Sequence, residues 1–143
     1  MCIIIFQELT TTEDKYLENL IMVRDVFRER LSLMHGQDKG LIFYLLDDLI
    51  LLHSDLLEGL EKTKGNDIGK VFLLHMSRIT NLYGGYCVHL PTAIAHLEQV
   101  EKQNANLKKQ LDDCQALANP STFPLSSHLV IPFQRYAHFS FCF

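Results

Sequence analysis

Apolar residues recur every three or four positions along almost the whole chain, which is the spacing of one face of an α-helix. The first such stripe predicts a helix that continues through Leu33 and ends at residues 35–37. The stripe consists of Leu9, Thr12, Tyr16, Leu20, Val23, Phe27 and Leu31. No segment shows the alternation of a half-buried strand. The pattern therefore predicts an all-α fold, an elongated bundle of long helices.

Further stripes divide the rest of the chain. A very apolar stripe predicts a second helix over residues 39–62, buried on more than one side. A third helix begins near residues 66–67, and the pair Gly84 and Gly85 predicts a bend in it. Pro91 either opens the next helix or kinks a continuous one. From Ile94 onward, the stripe predicts a helix to about residue 118.

The segment from Leu125 begins as an amphipathic helix after a clear break at residues 119–124. It ends in a cluster of aromatics with no capping residue. We therefore expect the chain to end inside a helix that lacks its C-terminal half. Phe139, Phe141 and Phe143 would then form an exposed apolar patch that favours self-association.

Composition excludes several classes of function. The 143 residues suit one domain, with 48% apolar and 21% charged residues and a net charge of −4. The few basic residues form no stripe, so nucleic-acid binding is not expected. No stretch approaches the roughly 20 apolar residues of a membrane span, and no secretory signal is visible. We expect a soluble, cytoplasmic protein whose four cysteines are free thiols.

The polar residues do not compose an active site. Seven histidines are present, but none has the neighbours of a zinc or di-metal motif, and no nucleophile or phosphate-binding motif occurs. His53 and His75 lie on apolar stripes, where a hydrogen-bonded core histidine is the favoured interpretation. We expect no metal, no cofactor and no covalent chemistry. What remains is a helical binding surface.

Three segments resemble the Dbl homology domain, the exchange-factor domain that acts on Rho-family GTPases. Residues 7–20, QELTTTEDKYLENL, resemble its first conserved region, Glu-Leu-x-x-Thr-Glu-x-x-Tyr-x-x-x-Leu. Residues 125–135, LSSHLVIPFQR, resemble its third region, with a leucine, two residues and then Pro-x-Gln-Arg. Residues 49–57, LILLHSDLL, resemble its second helix. Residues 83–87 and 114–119 are similar to the Vav subgroup.

The resemblance implies a function without covalent chemistry. Domains of this family form an elongated helical bundle, bind a Rho- or Rac-type GTPase, and distort its switch loops and Mg²⁺ site. They thereby stabilise the nucleotide-free state and promote GDP release. The implied protein is a GTPase regulator and not an enzyme in the covalent sense.

The resemblance also assigns the site residues. Glu8 matches the glutamate of the first region that engages the first switch of the GTPase, and Leu20 matches an apolar position that supports the same surface. Gln134 and Arg135 match the Gln-Arg pair, although Arg135 suits equally well a structural role in packing the last helix on the first. Glu13 also matches, and we expect it to cap or pair within the bundle.

Departures from the family pattern concentrate after Arg135. His138 stands where the family usually has a basic contact residue, and at neutral pH a histidine is mostly uncharged. Residues 1–143 are therefore expected to be a partial Dbl homology domain that lacks the final helix and has impaired exchange activity. The alternative is a non-catalytic helical interaction module or an inactive product.

Overall fold

The computed structural model describes the backbone of residues 2–64 and 66–142 and the side chains of residues 6–64 and 66–139. Within those residues the chain is helical and contains no strand, so the all-α prediction is confirmed. The helices are α1 (Cys2–Met22), α2 (Gly36–Ile42), α3 (Leu46–Thr63), α4 (Ile68–Gln103), α5 (Ala105–Leu117) and α6 (Leu125–Cys142).

The longest helix, α4, organises the bundle. Its 36 residues contact α2, α3, α5 and α6, while α1 packs against α3. One continuous apolar core runs between these helices, because the stripe of each helix faces its neighbours. Its most deeply buried large apolar side chains are Leu20, Phe27, Leu31, Ile42, Leu49, Leu52, Leu56, Leu60, Tyr83 and Leu97.

The first helix ends earlier than its apolar stripe predicted. After Met22 the chain forms one π-helical segment, Val23–Arg28, in which the N–H of Glu29 donates to the carbonyl of Arg24 at 2.9 Å. Val23 and Phe27 are both buried in this wider turn. The apolar spacing continues to Leu31 although the α-helix does not, because turns can bury such residues as well. The predicted continuation to Leu33 was therefore wrong.

The predicted second helix is divided in two. Residues 43–45 form a turn between α2 and α3, and Leu45 has a positive φ of 62°. A left-handed conformation is unfavourable for a leucine by about 1–2 kcal/mol, so packing must stabilise it. The turn lets both Phe43 and Leu46 enter the core. No glycine or proline marks the break, which is why the sequence predicted one helix.

α4 is helical through Gly84, Gly85 and Pro91, so neither the glycine pair nor the proline ends the helix, and Pro91 does not open a new one. Gly85 instead lies where the turn between α2 and α3 approaches: a methyl group there would contact Cδ1 of Leu45 at 3.4 Å. Such a methyl group would make an ordinary van der Waals contact with Leu45.

The predicted long helix to residue 118 breaks at Asn104. This residue is extended, with φ −139° and ψ 99°, and its Oδ1 accepts a hydrogen bond from the N–H of Leu107 at 3.1 Å. Asparagine is among the favoured N-cap residues because its side chain satisfies a free N–H of the first turn. The cap starts α5, and the apolar stripe of residues 107, 111 and 114 continues beyond the break.

The C-terminal aromatic cluster is not arranged as predicted. Phe139 is buried, with its ring 5.4 Å from Phe72 and 6.1 Å from the His53 ring, so its assignment to an exposed patch was wrong. The side chains of Phe141 and Phe143 lie outside the described residues. Phe133, another aromatic residue of α6, is 51% exposed. The contacts of Phe139 place this part of α6 on the core between α3 and α4.

Two sequence expectations concern membrane crossing and thiols. No helix in the described part of the chain has the length and apolar character needed to cross a membrane. Cys87 and Cys114 are free thiols, and burial raises the pKa of each.

His128 is the second buried histidine of the bundle. Its Nδ1 lies 3.2 Å from Oδ1 of Asn19, and its ring packs 5.7 Å from both Phe27 and Phe123. Burial lowers the pKa of His128 below the ordinary value of 6.5, because the apolar surroundings disfavour the charged ring.

This shift predicts a loss of stability in mild acid. Because the folded pKa lies below the unfolded value, the contribution of His128 is complete above pH 6.5 and is lost as the pH falls through the folded pKa. It amounts to about 1.4 kcal/mol for each unit of depression. Urea unfolding over this pH range should show a smaller decline for His128→Gln than for the wild type. Equal declines would contradict the prediction.

Candidate functional site

A buried ion pair joins the first and last helices. The guanidinium of Arg135, on α6, donates from Nη2 to Oε2 of Glu13, on α1, at 2.6 Å, and from Nε to the same oxygen at 3.2 Å. Its Nη1 donates to Oγ1 of Thr12 at 3.1 Å. Glu13 is 0% exposed and Arg135 is 8% exposed. Glu13 and Arg135 are 122 residues apart in the chain, and their contact brings the two motif segments, residues 7–20 and 125–135, side by side.

The pair continues into a chain of polar groups that also includes α3 and α4. The other carboxylate oxygen of Glu13 is bonded to Nδ1 of His53, on α3. The Nε2 of His53 lies 2.5 Å from the hydroxyl of Tyr83, on α4, and that hydroxyl lies 2.9 Å from the hydroxyl of Tyr16, on α1. We call these five residues, Glu13, Arg135, His53, Tyr83 and Tyr16, the core relay.

Aromatic rings enclose the core relay. The guanidinium carbon of Arg135 lies 4.6 Å from the centre of the Phe139 ring and 5.8 Å from that of Tyr16. The Tyr16 ring meets the His53 ring edge-on at 4.7 Å. Cation–π contacts of this kind add to the stabilisation of a desolvated guanidinium. The relay is therefore shielded from water on the sides that these rings cover.

The pKa shifts follow from this burial. Burial alone would raise the pKa of Glu13, but its hydrogen bonds and charge interactions with His53 and then with Arg135 outweigh that effect and hold the pKa below its usual range. Burial raises the pKa of Tyr16 and of Tyr83 well above the ordinary tyrosine value. Glu13 is thus an anion and both tyrosines are neutral over the physiological range.

The predicted site residues fall into two groups by exposure. Glu8, Gln134 and His138 are exposed, whereas Leu20 is 1% exposed and Arg135 is paired inside the bundle. A partner protein cannot reach Leu20 directly, so any contribution of this residue acts through the packing of α1. The favoured interpretations of Glu13 and His53, a paired glutamate and a hydrogen-bonded core histidine, are confirmed by their contacts.

The exposed residues lie close to the buried pair along the helices. Asn19 contacts His128 and Thr12 contacts Arg135, so α1 and α6 run antiparallel. Glu8 precedes Thr12 by four residues and therefore lies on the same face of α1, one turn further along. Gln134 and His138 are four residues apart and share a face of α6.

Sequence reasoning missed Tyr16, Tyr83 and the partner of His53. A signal was present, because Thr12, Tyr16 and His53 are polar residues that interrupt apolar stripes. Buried polar groups need hydrogen-bond partners, so several of them on facing stripes indicate a network. Which of them meet depends on how the helices are placed. Where side chains are described, no group of three histidine, cysteine, aspartate or glutamate residues could hold a metal ion.

Comparison with known proteins agrees with the three motifs. The model of the RhoGEF domain family matches residues 5–143. The proto-oncogene vav protein of Bos taurus is 28% identical over 134 residues, which is 90% of this chain and 16% of that protein. The Rho guanine nucleotide exchange factor 37 of Rattus norvegicus is 30% identical over 137 residues, or 20% of its length. The chain thus spans less than a quarter of these relatives.

Solved structures show the same fold. A structure of the Vav1 exchange factor, concerned with its PH and C1 domains, superimposes with a TM-score of 0.87 at 28% identity and covers 91% of this chain and 36% of that one. The NMR structure of an autoinhibited Dbl homology domain superimposes with a TM-score of 0.79 and has 64% of its chain covered. With the motifs on α1 and α6 and the match over residues 5–143, the chain belongs to the RhoGEF, or Dbl homology, domain family and has Vav proteins among its relatives.

Proposed function

We propose that this chain is an exchange-factor domain that binds a Rho- or Rac-type small GTPase and promotes GDP release. The observation that carries the proposal is the Glu13–Arg135 pair, which holds the two motif segments of the family against each other and leaves Glu8 and Gln134 exposed beside the contact. Family membership supplies the class of partner.

The mechanism requires binding energy and no covalent step. A surface that binds the nucleotide-free GTPase more tightly than the GDP-bound form lowers the barrier to GDP release by that difference. In this proposal the Glu8 carboxylate accepts hydrogen bonds from the first switch, and Gln134 and His138 contact the GTPase from α6. Leu20 and Arg135 act from inside, by fixing α1 and α6. The cytoplasm remains the predicted location.

We propose that the 143-residue protein by itself promotes GDP release only slowly. They cover 64% of the chain of the solved Dbl homology domain, so part of the surface of that domain has no counterpart in them. If contacts with the GTPase are missing, the nucleotide-free GTPase is stabilised less. The folding stability of the bundle itself is affected less than this. The second candidate is a non-catalytic interaction module. It would bind through the same surface but would not accelerate GDP release.

Two measurements on the 143-residue protein test these proposals. Binding to immobilised Rac- and Rho-type GTPases should be at least about tenfold tighter for the nucleotide-free form than for the GDP-loaded form. Equal binding to both forms, or binding to neither, would reject the proposed function. Release of fluorescent GDP should be accelerated only weakly; acceleration as strong as that of a Vav exchange factor would refute slow exchange, and none would favour the interaction module.

A further inference from the structure

The core relay contains two residues, His53 and Tyr83, that the family motifs do not place at the partner surface. Both are 0% exposed, and they lie on α3 and α4 rather than on the two helices that carry the motif residues. Neither is hydrogen-bonded to Arg135 itself; the hydrogen bonds that join them to it pass through the carboxylate of Glu13. Because both side chains are fully buried, any contribution to the partner surface must act through the residues that they contact.

Counting the hydrogen-bond donors and acceptors of the core relay determines which atom donates in each hydrogen bond. If His53 is neutral with its proton on Nδ1, that nitrogen donates to Glu13 and Nε2 accepts from the hydroxyl of Tyr83. The Tyr83 oxygen then accepts from the hydroxyl of Tyr16, and every donor has an acceptor. With a proton on Nε2, one of the two phenol hydrogens would have no acceptor among the contacts found for these residues. The geometry therefore selects the neutral Nδ1–H tautomer.

The fixed tautomer orients the Glu13 carboxylate. One oxygen is committed to His53 and the other to Arg135, so the carboxylate plane cannot rotate without breaking a buried hydrogen bond. A buried charge left without its partner is strongly unfavourable, which restricts the guanidinium to one place. Gln134, the neighbour of Arg135 on α6, takes its orientation from that restriction.

We propose that His53 and Tyr83 are positioning residues for the GTPase-docking surface: they fix the carboxylate of Glu13, which fixes Arg135 and thereby α6 beside α1. This inference rests on the proposed function, because it assigns the relay a role in presenting Gln134 to a nucleotide-free GTPase. It does not make either residue a contact residue.

The bundle offers a matched pair of variants. Tyr83→Phe removes one buried hydroxyl of the relay and keeps the ring, which stacks on Tyr136 at 5.2 Å. Tyr86→Phe removes a buried hydroxyl from the same helix that also bonds to α6, at the carbonyl of Leu129 2.5 Å away, but lies outside the relay. Each change removes one buried hydroxyl, but that of Tyr83 makes two hydrogen bonds and that of Tyr86 makes one. Urea unfolding of both variants therefore accompanies the binding measurement, so that a loss of stability is measured separately from a loss of binding.

The binding measurement uses a nucleotide-free Rac-type GTPase as the probe. Tyr83→Phe should weaken binding about tenfold, because a contact group displaced by a fraction of an ångström loses most of its interaction. Tyr86→Phe should change it less than about twofold. In a Gln134→Ala background, Tyr83→Phe should have almost no further effect, because the contact that it misplaces is already absent. Equal losses for the two tyrosine variants, or the same loss in both backgrounds, would overturn the inference.

A second measurement does not depend on any GTPase. Nitrogen-15 NMR of the wild type should show His53 protonated on Nδ1 and unprotonated on Nε2. Exchange of the Arg135 Nε–H with solvent should be slow in the wild type and in Tyr86→Phe, and at least about tenfold faster in Tyr83→Phe. The opposite tautomer, or unchanged exchange, refutes the positioning role. If the wild type binds no GTPase while these NMR results hold, the proposed function fails and the positioning of Arg135 stands.

Discussion

Glu13→Ala is expected to lower the free energy of unfolding by about 3–5 kcal/mol, which is a large part of the stability of a domain. The change leaves the Arg135 guanidinium buried without its anion and removes the acceptor of His53. Urea unfolding followed by circular dichroism measures the loss. Glu18→Ala is the matched control, since this glutamate is exposed on the same helix and its removal should cost less than about 0.5 kcal/mol.

Two further results separate a buried pair from a surface pair. The double variant Glu13→Ala/Arg135→Ala should lose clearly less than the sum of the two single losses, because each single change already breaks the same interaction. Exposed ion pairs typically contribute about 0–1 kcal/mol. A loss of that size for Glu13→Ala would show that the α1–α6 contact is open to water in solution.

Glu8→Ala is expected to have the largest effect on binding. Loss of a charge-assisted contact of about 1.5–3 kcal/mol should weaken binding to a nucleotide-free Rho-family GTPase roughly 10- to 150-fold. The free energy of unfolding should change by less than about 0.5 kcal/mol, since Glu8 is exposed. Titration of the immobilised GTPase with the wild type and the variant measures the first effect, and urea unfolding the second.

Asp14→Ala is the control for charge in this experiment. Asp14 is an exposed carboxylate on the same helix, six residues from Glu8 and therefore on a different face. Its removal changes the net charge by the same amount and should alter binding by less than about twofold. If Glu8→Ala bound as tightly as Asp14→Ala, the role carried over to Glu8 from the family motif would be rejected.

Glu8 and Glu13 belong to the same motif, yet the structure separates their expected effects completely. Glu8 is exposed, so its removal should weaken GTPase binding and leave the free energy of unfolding nearly unchanged. Glu13 is buried, so its removal should mainly lower the free energy of unfolding. Arg135 and Gln134 divide in the same way on α6. A motif that contains both buried and exposed residues cannot be interpreted from residue type alone. A glutamate inside the bundle and a glutamate on its surface are identical in the sequence.

Several features of the fold were predictable because they depend on local spacing. The apolar stripe of residues 9–31 identified the first helix, and the break at residues 119–124 separated the last one. The Asn104 cap could have been found, since asparagine at a helix start is a known signal. The turn at Leu45 could not, because no residue type marks it and only packing in the core stabilises its positive φ.

The sequence by itself determined that this protein is helical, which faces of its helices are buried, and, through its motifs, to which family it belongs. Periodicity and motifs are local properties of the sequence, and they do not depend on how the helices are arranged in space. Only the tertiary structure decided that Arg135 meets Glu13, that His53 and Tyr83 complete the relay, and that Phe139 is buried. These contacts join residues 30 to 122 positions apart. Their existence depends on how helices pack, which the spacing within any one helix does not specify.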